Sequence, residues 1–208
     1  MDGLVTNVSL IAGVGGGGGS RHTLVLTGLA GLVAGAFSMA TGEFTSVRSQ
    51  NELVGSEVEV ERRSLADHPE QERTEMAMSL TQRGVDPALA EQVAQQISVR
   101  PDDALRFHAQ EELGVNPDKL PSPYEAAFYS FASFAIGALV PLLPYLFGAT
   151  VLWISLLAAA IALMVSGAAV ARMTGRPIAY GAARQVALAA LSAGVTYGVG
   201  RAIGASVS

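Results

Sequence analysis

The sequence predicts an all-α polytopic membrane protein with five transmembrane helices, the first one truncated, and a charged helical domain between helices two and three. Half of the 208 residues are hydrophobic and only 15% are charged, whereas about a quarter are charged in soluble domains. The charges are also concentrated, because only two of the 18 acidic residues precede Glu52 and none follows Glu125. Apolar segments of about 20 residues, the length that crosses a bilayer, flank this charged part.

The first apolar run covers residues 3–14 and is too short to cross a bilayer before a glycine-rich loop at Gly15–Gly19. It has neither the basic start nor the cleavage-type ending of a signal peptide. We therefore expect a truncated first transmembrane helix. The stretch GVGGGG at residues 13–18 matches the dinucleotide-binding fingerprint, but no strand precedes it, so we interpret it as a loop.

Four further runs have the length of a membrane span, at about residues 23–44, 124–147, 149–171 and 178–203. Small residues spaced by four, as in Gly31–Gly35 and Gly194–Gly198, let helices approach closely. Ordinary tight packing is favoured over a specific dimer seam. Pro141 and Pro144 interrupt the third span, where they either line a pore or kink the helix.

The basic residues predict the orientation. All of those from Arg48 to Lys119 lie between spans two and three, and Arg172 and Arg176 lie between spans four and five. Cytoplasmic loops carry an excess of lysine and arginine. We therefore expect residues 51–121 in the cytoplasm, with Arg21 as the one dissenting residue on the other side. The domain boundaries follow as 1–50, 51–121 and 122–208.

The charged segment is predicted to consist of short helices after a long continuation of span two, to about Ala66. Asp67 and Asp86 are expected helix caps, each followed by a proline in the first turn, and Gly84 is an expected stop. An apolar stripe is predicted for the second short helix at Leu89, Val93 and Ile97.

Composition also excludes several functions. The sequence contains no cysteine, which removes disulfides, thiolate zinc sites and cysteine nucleophiles. The net charge of −5 comes from one segment, and nothing in it indicates nucleic-acid binding. An enzyme is the least favoured class, because no nucleophile lies near a base and no cofactor motif has a credible context.

Several acidic side chains share helix faces in the charged segment. Glu72 and Glu75 are three residues apart, Glu57 and Glu61 are four apart, and so are His108 and Glu112. Carboxylates with one imidazole suit Fe²⁺ or Mn²⁺. Arginines alternate with these acids, however, and such faces are commonly just solvated. Spacing alone therefore leaves both interpretations open.

Near the apolar spans the only acids are Asp2 and Glu43. An intramembrane carboxylate indicates a functional site, although Glu43 also fits an interfacial position. Met39 lies one helical turn before Glu43 and is either a soft ligand or a core residue.

Four blocks, in order, resemble the vacuolar iron transporter family. They are DGLVTNVSLIAGV, GLAGLVAGAFSMATGEFTSVRSQNE, an acidic helical domain ending in EELGV, and SPYEAAFYSFASFAIGALVPLLPY. The resemblance covers essentially the whole chain. It implies a protein that moves Fe²⁺ and often Mn²⁺ out of the cytosol in exchange for protons. It also implies a homodimer of five-helix protomers in the lipid bilayer, with no prosthetic group.

The resemblance assigns metal ligands residue by residue. Asp2 and Met39 match the family's membrane ligands, and Glu43 is a further candidate. In the charged domain the implied ligands are Glu61, Glu72, Glu75 and Glu112. His108 stands where plant members have a methionine, Ser64 replaces a domain glutamate, and Gly31 replaces an acid of the second helix.

Two other functions remain open besides transport. One is a membrane-anchored metal buffer or sensor without transport, which Gly31 and the short first helix favour. The other is a membrane structural protein whose acidic domain binds a partner protein. The composition, rich in alanine, glycine and arginine, predicts a bacterial protein and hence the plasma membrane.

Overall fold

The computed structural model describes residues 1–207, which form helices joined by short turns and contain no strand. The all-α prediction is therefore confirmed. The helices are α1 (Asp2–Gly16), α2 (Arg21–Asp67), α3 (Pro69–Gln82), α4 (Pro87–Ser98), α5 (Pro101–Glu112), α6 (Pro123–Leu146), α7 (Leu152–Met173) and α8 (Ile178–Val207).

The chain divides into two compact units. The membrane unit contains residues 1–43 together with the chain from Ala126 onward, and the charged unit is Phe44–Glu125. The long helix α2 contributes residues to both, as predicted from the continuation of span two.

Four helices of the described chain are long and apolar enough to cross a bilayer, namely α2, α6, α7 and α8. Helix α1 has 15 residues, which at 1.5 Å per residue span about 22 Å, less than the hydrocarbon thickness of about 30 Å. A fifth span therefore remains a prediction. The expected loop at Gly15–Gly19 begins later than predicted, because α1 continues to Gly16 and turns at Gly18, whose φ is +83°.

Helix α1 packs against α7 and α8 in the membrane unit through Leu4, Val8, Leu163 and Ala189. Small residues allow a still closer crossing of α1 and α8. A Cβ atom on Gly200 would overlap the carbonyl oxygen of Gly13, whereas Gly194 and Gly198 have open space around them. The close approach within the chain thus uses Gly200 rather than the predicted Gly194–Gly198 pair.

This crossing yields a stability prediction with a matched control in the same helix. Gly200→Ala should destabilise the protein by about 1–3 kcal/mol, because the added methyl group forces α1 and α8 apart. Gly194→Ala should be neutral or stabilising by up to about 1 kcal/mol, since alanine favours helix where space is free. Thermal unfolding of both variants in detergent checks this, and equal melting temperatures would contradict it.

Helix α6 contains Pro141 and Pro144 without interruption. The Pro141 carbonyl oxygen accepts a hydrogen bond of 2.5 Å from the buried hydroxyl of Ser155 on α7. Near the end of α6, the Arg21 guanidinium donates two hydrogen bonds to the Tyr145 carbonyl oxygen, at 3.0 and 2.7 Å. Both contacts are side-chain hydrogen bonds to backbone carbonyls near the end of α6.

Local signals in the charged unit were partly correct. Asp86 caps α4 by accepting hydrogen bonds from the backbone N–H groups of Ala88 and Leu89. Gly84 follows α3 with a φ of +91°, as a helix stop requires. The prediction of Asp67 as a cap was wrong, because α2 extends through Asp67 and His68 takes the cap position without a side-chain bond.

The predicted apolar stripe of α4 was also wrong in part. Leu89 is 52% exposed, and the buried residues are Ala90 and Ala94. Ala94 packs against Met76 of α3 in the core of the charged unit. Two helices that approach closely need small side chains at their contact. The alanines of α4 therefore form its buried face, and the larger Leu89 lies outside it.

Candidate metal centre

Three helices of the charged unit bring acidic side chains to one imidazole. Glu61 comes from α2, Glu72 from α3, and Glu112 from α5, one turn after His108 on the same helix. Glu72 and His108 lie on the faces that α3 and α5 bury, and they are only 5% and 3% exposed. Helix periodicity therefore directs these polar side chains inward together with the apolar core.

The ligand atoms converge on a common point. His108 Nδ1 lies 3.2 Å from Glu61 Oε1, 3.6 Å from Glu72 Oε2 and 3.8 Å from Glu112 Oε1. Ligand atoms of Glu61, His108 and Glu112 lie within 4.8 Å of one another. Neighbouring ligands of an octahedral ion with bonds of about 2.1 Å are about 3 Å apart. The spacing fits ligands that surround a single divalent ion.

Two buried atoms of this group have no hydrogen-bond partner among the described residues, Glu61 Oε1 and His108 Nε2. Buried polar atoms are nearly always paired, and an exception calls for an explanation such as an ion. The other buried carboxylate is held in place, because the Ser64 hydroxyl donates a 2.5 Å hydrogen bond to Glu72 Oε1. These residues could hold a metal ion with oxygen and nitrogen ligands.

Arginines do not neutralise the four candidate glutamates in the part of the chain that the structure describes. The three arginines that alternate with them in sequence pair with other acids: Arg62 and Arg63 with Glu59, and Arg73 with Glu70 and Glu91. The solvated-face interpretation required these arginines to compensate the candidate acids. Among the described residues, no arginine therefore occupies the position beside these carboxylates that a cation would take.

Glu75 lies at the rim of the group. It is exposed, accepts a 3.1 Å hydrogen bond from the Gln71 amide, and lines a cavity of about 220 Å³ together with His108 and Glu112. Glu111 lines the same cavity, but it is paired with Arg83 at 2.6 Å. The cavity gives an ion or its water ligands access to the buried side chains.

Burial raises the pKa of the Glu61 carboxyl above its ordinary value, and the negative charges of Glu112, Glu72 and Glu75 raise it further. His108 acts in the opposite direction. The folded protein therefore disfavours a charged, uncompensated Glu61. A divalent cation at this point would remove that penalty, and it would compete with a proton for the same oxygen.

The raised pKa yields a pH prediction for stability. Between the ordinary pKa of 4.5 and the raised value, the folded protein binds more protons than the unfolded chain, so the Glu61 contribution destabilises as pH rises through this window. Without metal, the wild type should have a lower melting temperature than Glu61→Gln at pH 7. At acidic pH the two melting temperatures should be close. Added Mn²⁺ should reverse the order at pH 7. Melting curves in detergent test this, and a difference that does not change with pH would contradict it.

The membrane candidates form no comparable group in the described chain. Asp2 is exposed in the first turn of α1, where its carboxylate accepts a 3.5 Å contact from the Thr6 hydroxyl. Met39 and Glu43 are exposed on α2, one turn apart. The only group of three ionisable ligands found among the described residues is the one around His108.

The structure also shows contacts that sequence reasoning missed. Ser64 was noted only as a replacement for a glutamate, yet its hydroxyl orients Glu72. Asn7 was not singled out, although it is completely buried in the membrane unit and donates a hydrogen bond to the Ala138 carbonyl oxygen. A single asparagine within an apolar helix was the available signal.

Comparison with known proteins places this arrangement in a family. The model of the VIT family matches residues 1–201. The chain is 38% identical over 189 residues to a vacuolar iron transporter of Acanthamoeba castellanii, covering 87% of this chain and 70% of that protein. It is 28% identical over 205 residues to vacuolar iron transporter 1 of Oryza sativa, covering 97% of this chain and 81% of that protein. With a match along nearly its whole length, the chain belongs to the VIT family.

Proposed function

We propose that this protein is a transmembrane transporter that exports Fe²⁺, Mn²⁺ or both from the cytosol, with the charged unit as the part that captures the metal. The main observation in support is the convergence of Glu61, Glu72 and Glu112 on His108, with two buried ligand atoms unpaired. Relatives along most of the chain are named iron transporters. Carboxylate and imidazole ligands without a thiolate suit Fe²⁺ and Mn²⁺.

The transport step would use the acids and the thioether of the membrane unit. Asp2, Met39 and Glu43 would replace parts of the hydration shell in succession, each binding weakly enough to release the ion. A carboxylate binds either a metal or a proton, so the same groups would couple metal export to proton entry. Glu75 would serve as an outer ligand at the capture centre, beside the cavity that it lines.

The proposal includes the arrangement in the membrane. The protein would be a homodimer of five-span protomers in the bacterial plasma membrane, with residues 51–121 in the cytoplasm. The excess of arginine and lysine between Arg48 and Lys119 supports this orientation.

Transport can be tested with the full-length protein in proteoliposomes that contain a metal-quenched dye. Addition of Fe²⁺ or Mn²⁺ should quench the dye faster than in protein-free vesicles. An imposed gradient that drives protons out of the vesicles should accelerate the quenching, because metal would enter in exchange for protons. Vesicles with and without protein that quench at the same rate would contradict the proposal.

A membrane-anchored metal buffer or sensor is the second candidate function. It is favoured by the position of the ligand cluster found among the described residues, which lies in the charged unit, and by Gly31, which supplies no acid to the membrane part of α2. This alternative predicts metal binding without any flux across the vesicle membrane.

A further inference from the structure

Glu111 is a further carboxylate beside the candidate metal centre. It lies three residues after His108 on α5 and directly before Glu112, so both acids are about one helical turn from the imidazole. Its side chain is 17% exposed and lines the same cavity of about 220 Å³ as Glu75, His108 and Glu112. By position and burial, Glu111 could supply a metal ligand as Glu112 does.

Two residues of α3 hold this carboxylate instead. Ser79 and Arg83 are four residues apart and therefore lie on one face of the end of α3. The Ser79 hydroxyl donates a 2.8 Å hydrogen bond to Glu111 Oε2, and Arg83 Nη2 lies 2.6 Å from the same oxygen. Of the acids that line the cavity, Glu111 is the one with an arginine partner among the described residues.

The charge at the centre gives this ion pair a consequence. The three carboxylates that converge on His108 have no arginine partner in the described part of the chain. The affinity of a carboxylate site for a divalent ion depends on how many ligand charges it has, so a further free carboxylate would tighten the site. A site on a transport path has to bind weakly enough to let the ion leave. The Arg83 guanidinium takes the place beside Glu111 that a metal ion would otherwise occupy.

We infer that Arg83 is an internal counter-cation that holds Glu111 out of the metal centre and thereby keeps metal affinity low enough for release. This role rests on the proposed function, in which the charged unit captures metal for transport. Arg83 acts through Glu111 and is a positioning residue rather than a ligand. Because Arg83 is 61% exposed, its replacement leaves no buried cavity, and exposed ion pairs of this kind contribute little to stability.

The affinity of the full-length protein for Mn²⁺, measured by calorimetric titration in detergent, tests this role. Arg83→Gln removes the counter-cation and frees Glu111, so it should tighten Mn²⁺ binding by about tenfold. A merely structural role of the pair predicts unchanged or weaker binding, because a disturbed fold does not improve a site. Arg83→Lys keeps the positive charge and should bind Mn²⁺ nearly like the wild type.

Arg106→Gln is the matched control for the loss of one positive charge. Arg106 lies on α5, two residues before His108, and pairs with Asp103 at 2.8 Å and Asp118 at 2.6 Å. Neither aspartate is among the described residues that line the cavity. Arg106→Gln should therefore change the Mn²⁺ affinity by about twofold at most, through screened charge alone.

A Glu111→Gln background separates the release of a ligand from a general effect of charge. Loss of a positive charge near the centre favours a cation whatever that charge contacts. If Arg83 acts through Glu111, the two substitutions are not additive. Arg83→Gln should then tighten binding by about tenfold when residue 111 is glutamate and by about twofold at most when it is glutamine.

Uptake of Mn²⁺ into proteoliposomes gives a second measurement. Arg83→Gln should reach half of its maximal rate at a lower Mn²⁺ concentration, yet its maximal rate should fall because release from the charged unit is slower. A maximal rate equal to that of the wild type would overturn the role in release.

Unchanged or weaker Mn²⁺ binding in Arg83→Gln, or the same gain in both backgrounds, would overturn the inference while the metal centre and transport stand. A wild-type protein that binds Mn²⁺ without transporting it would overturn the proposed transport and the role in release, and the affinity comparison would still decide whether Arg83 restrains Glu111.

Discussion

Exchange of Glu61 for glutamine should lower the affinity of the full-length protein for Mn²⁺ by about 10–100-fold. Glutamine keeps the size of the side chain but removes the negative charge. The carboxylate that loses its charge includes a buried oxygen, Oε1, that lies 3.2 Å from His108 Nδ1 and has no hydrogen-bond partner among the described residues. It is thus the carboxylate oxygen with the most to gain from a metal ion. Calorimetric titration of the detergent-solubilised protein with MnCl₂ measures the effect.

Glu59→Gln is the appropriate control for this experiment. Glu59 is two residues away on the same helix, is exposed, and pairs with Arg62 at 3.6 Å and Arg63 at 3.3 Å. Exposed ion pairs of this kind contribute about 0–1 kcal/mol. The control variant should therefore bind Mn²⁺ like the wild type. Equal losses in the two variants would mean that metal binding depends on total charge rather than on the centre around His108.

Asp2→Ala should abolish Mn²⁺ uptake into proteoliposomes while leaving Mn²⁺ binding at the centre around His108 unchanged. Its carboxylate is the only acid on α1. A carboxylate within or beside a membrane span costs free energy, so its presence there indicates a function. The binding centre around His108 lies in the charged unit, so removal of Asp2 leaves its ligands intact. Uptake is followed by dye quenching and binding by calorimetry on the same preparation.

The two measurements together distinguish a transporter from a buffer. Asp2→Glu retains a carboxylate and should retain part of the uptake. If Asp2→Ala transports as fast as the wild type, Asp2 has no part in the pathway. If neither protein transports and both bind Mn²⁺, the buffer or sensor function is the better description.

The candidate metal centre shows why sequence spacing was insufficient. The spacing of His108 and Glu112 correctly indicated two neighbours on one helix face. The same rule paired Glu72 with Glu75, yet Glu72 is buried beside His108 and Glu75 is exposed at the rim. Spacing also paired Glu57 with Glu61, and only the resemblance to a family favoured Glu61 over Glu57. The burial of these side chains and the unpaired oxygen of Glu61 depend on how α2, α3 and α5 pack together, which the spacing does not contain.

Glycine and alanine positions show the same limit in the packing. The spacing Gly194–Gly198 identified a helix able to pack closely, but Gly200 makes the contact with Gly13. On α4 the larger Leu89 was expected inside, and Ala90 and Ala94 are buried instead. The choice between neighbouring faces of one helix depends on the rotation of its partner, which local sequence does not contain.

The sequence by itself determined the helical class, four helices of membrane length, the continuation of α2 beyond its membrane segment to about Ala66, and the Asp86 cap. These features depend on composition, periodicity and hydrogen bonds between residues close in the chain. Only the tertiary structure decided that Glu61, Glu72 and Glu112 meet at His108, and that Asn7 keeps an unpaired oxygen beside Gly31. Both arrangements depend on the distance and rotation between helices far apart in sequence, which are set by the packing of all their side chains at once.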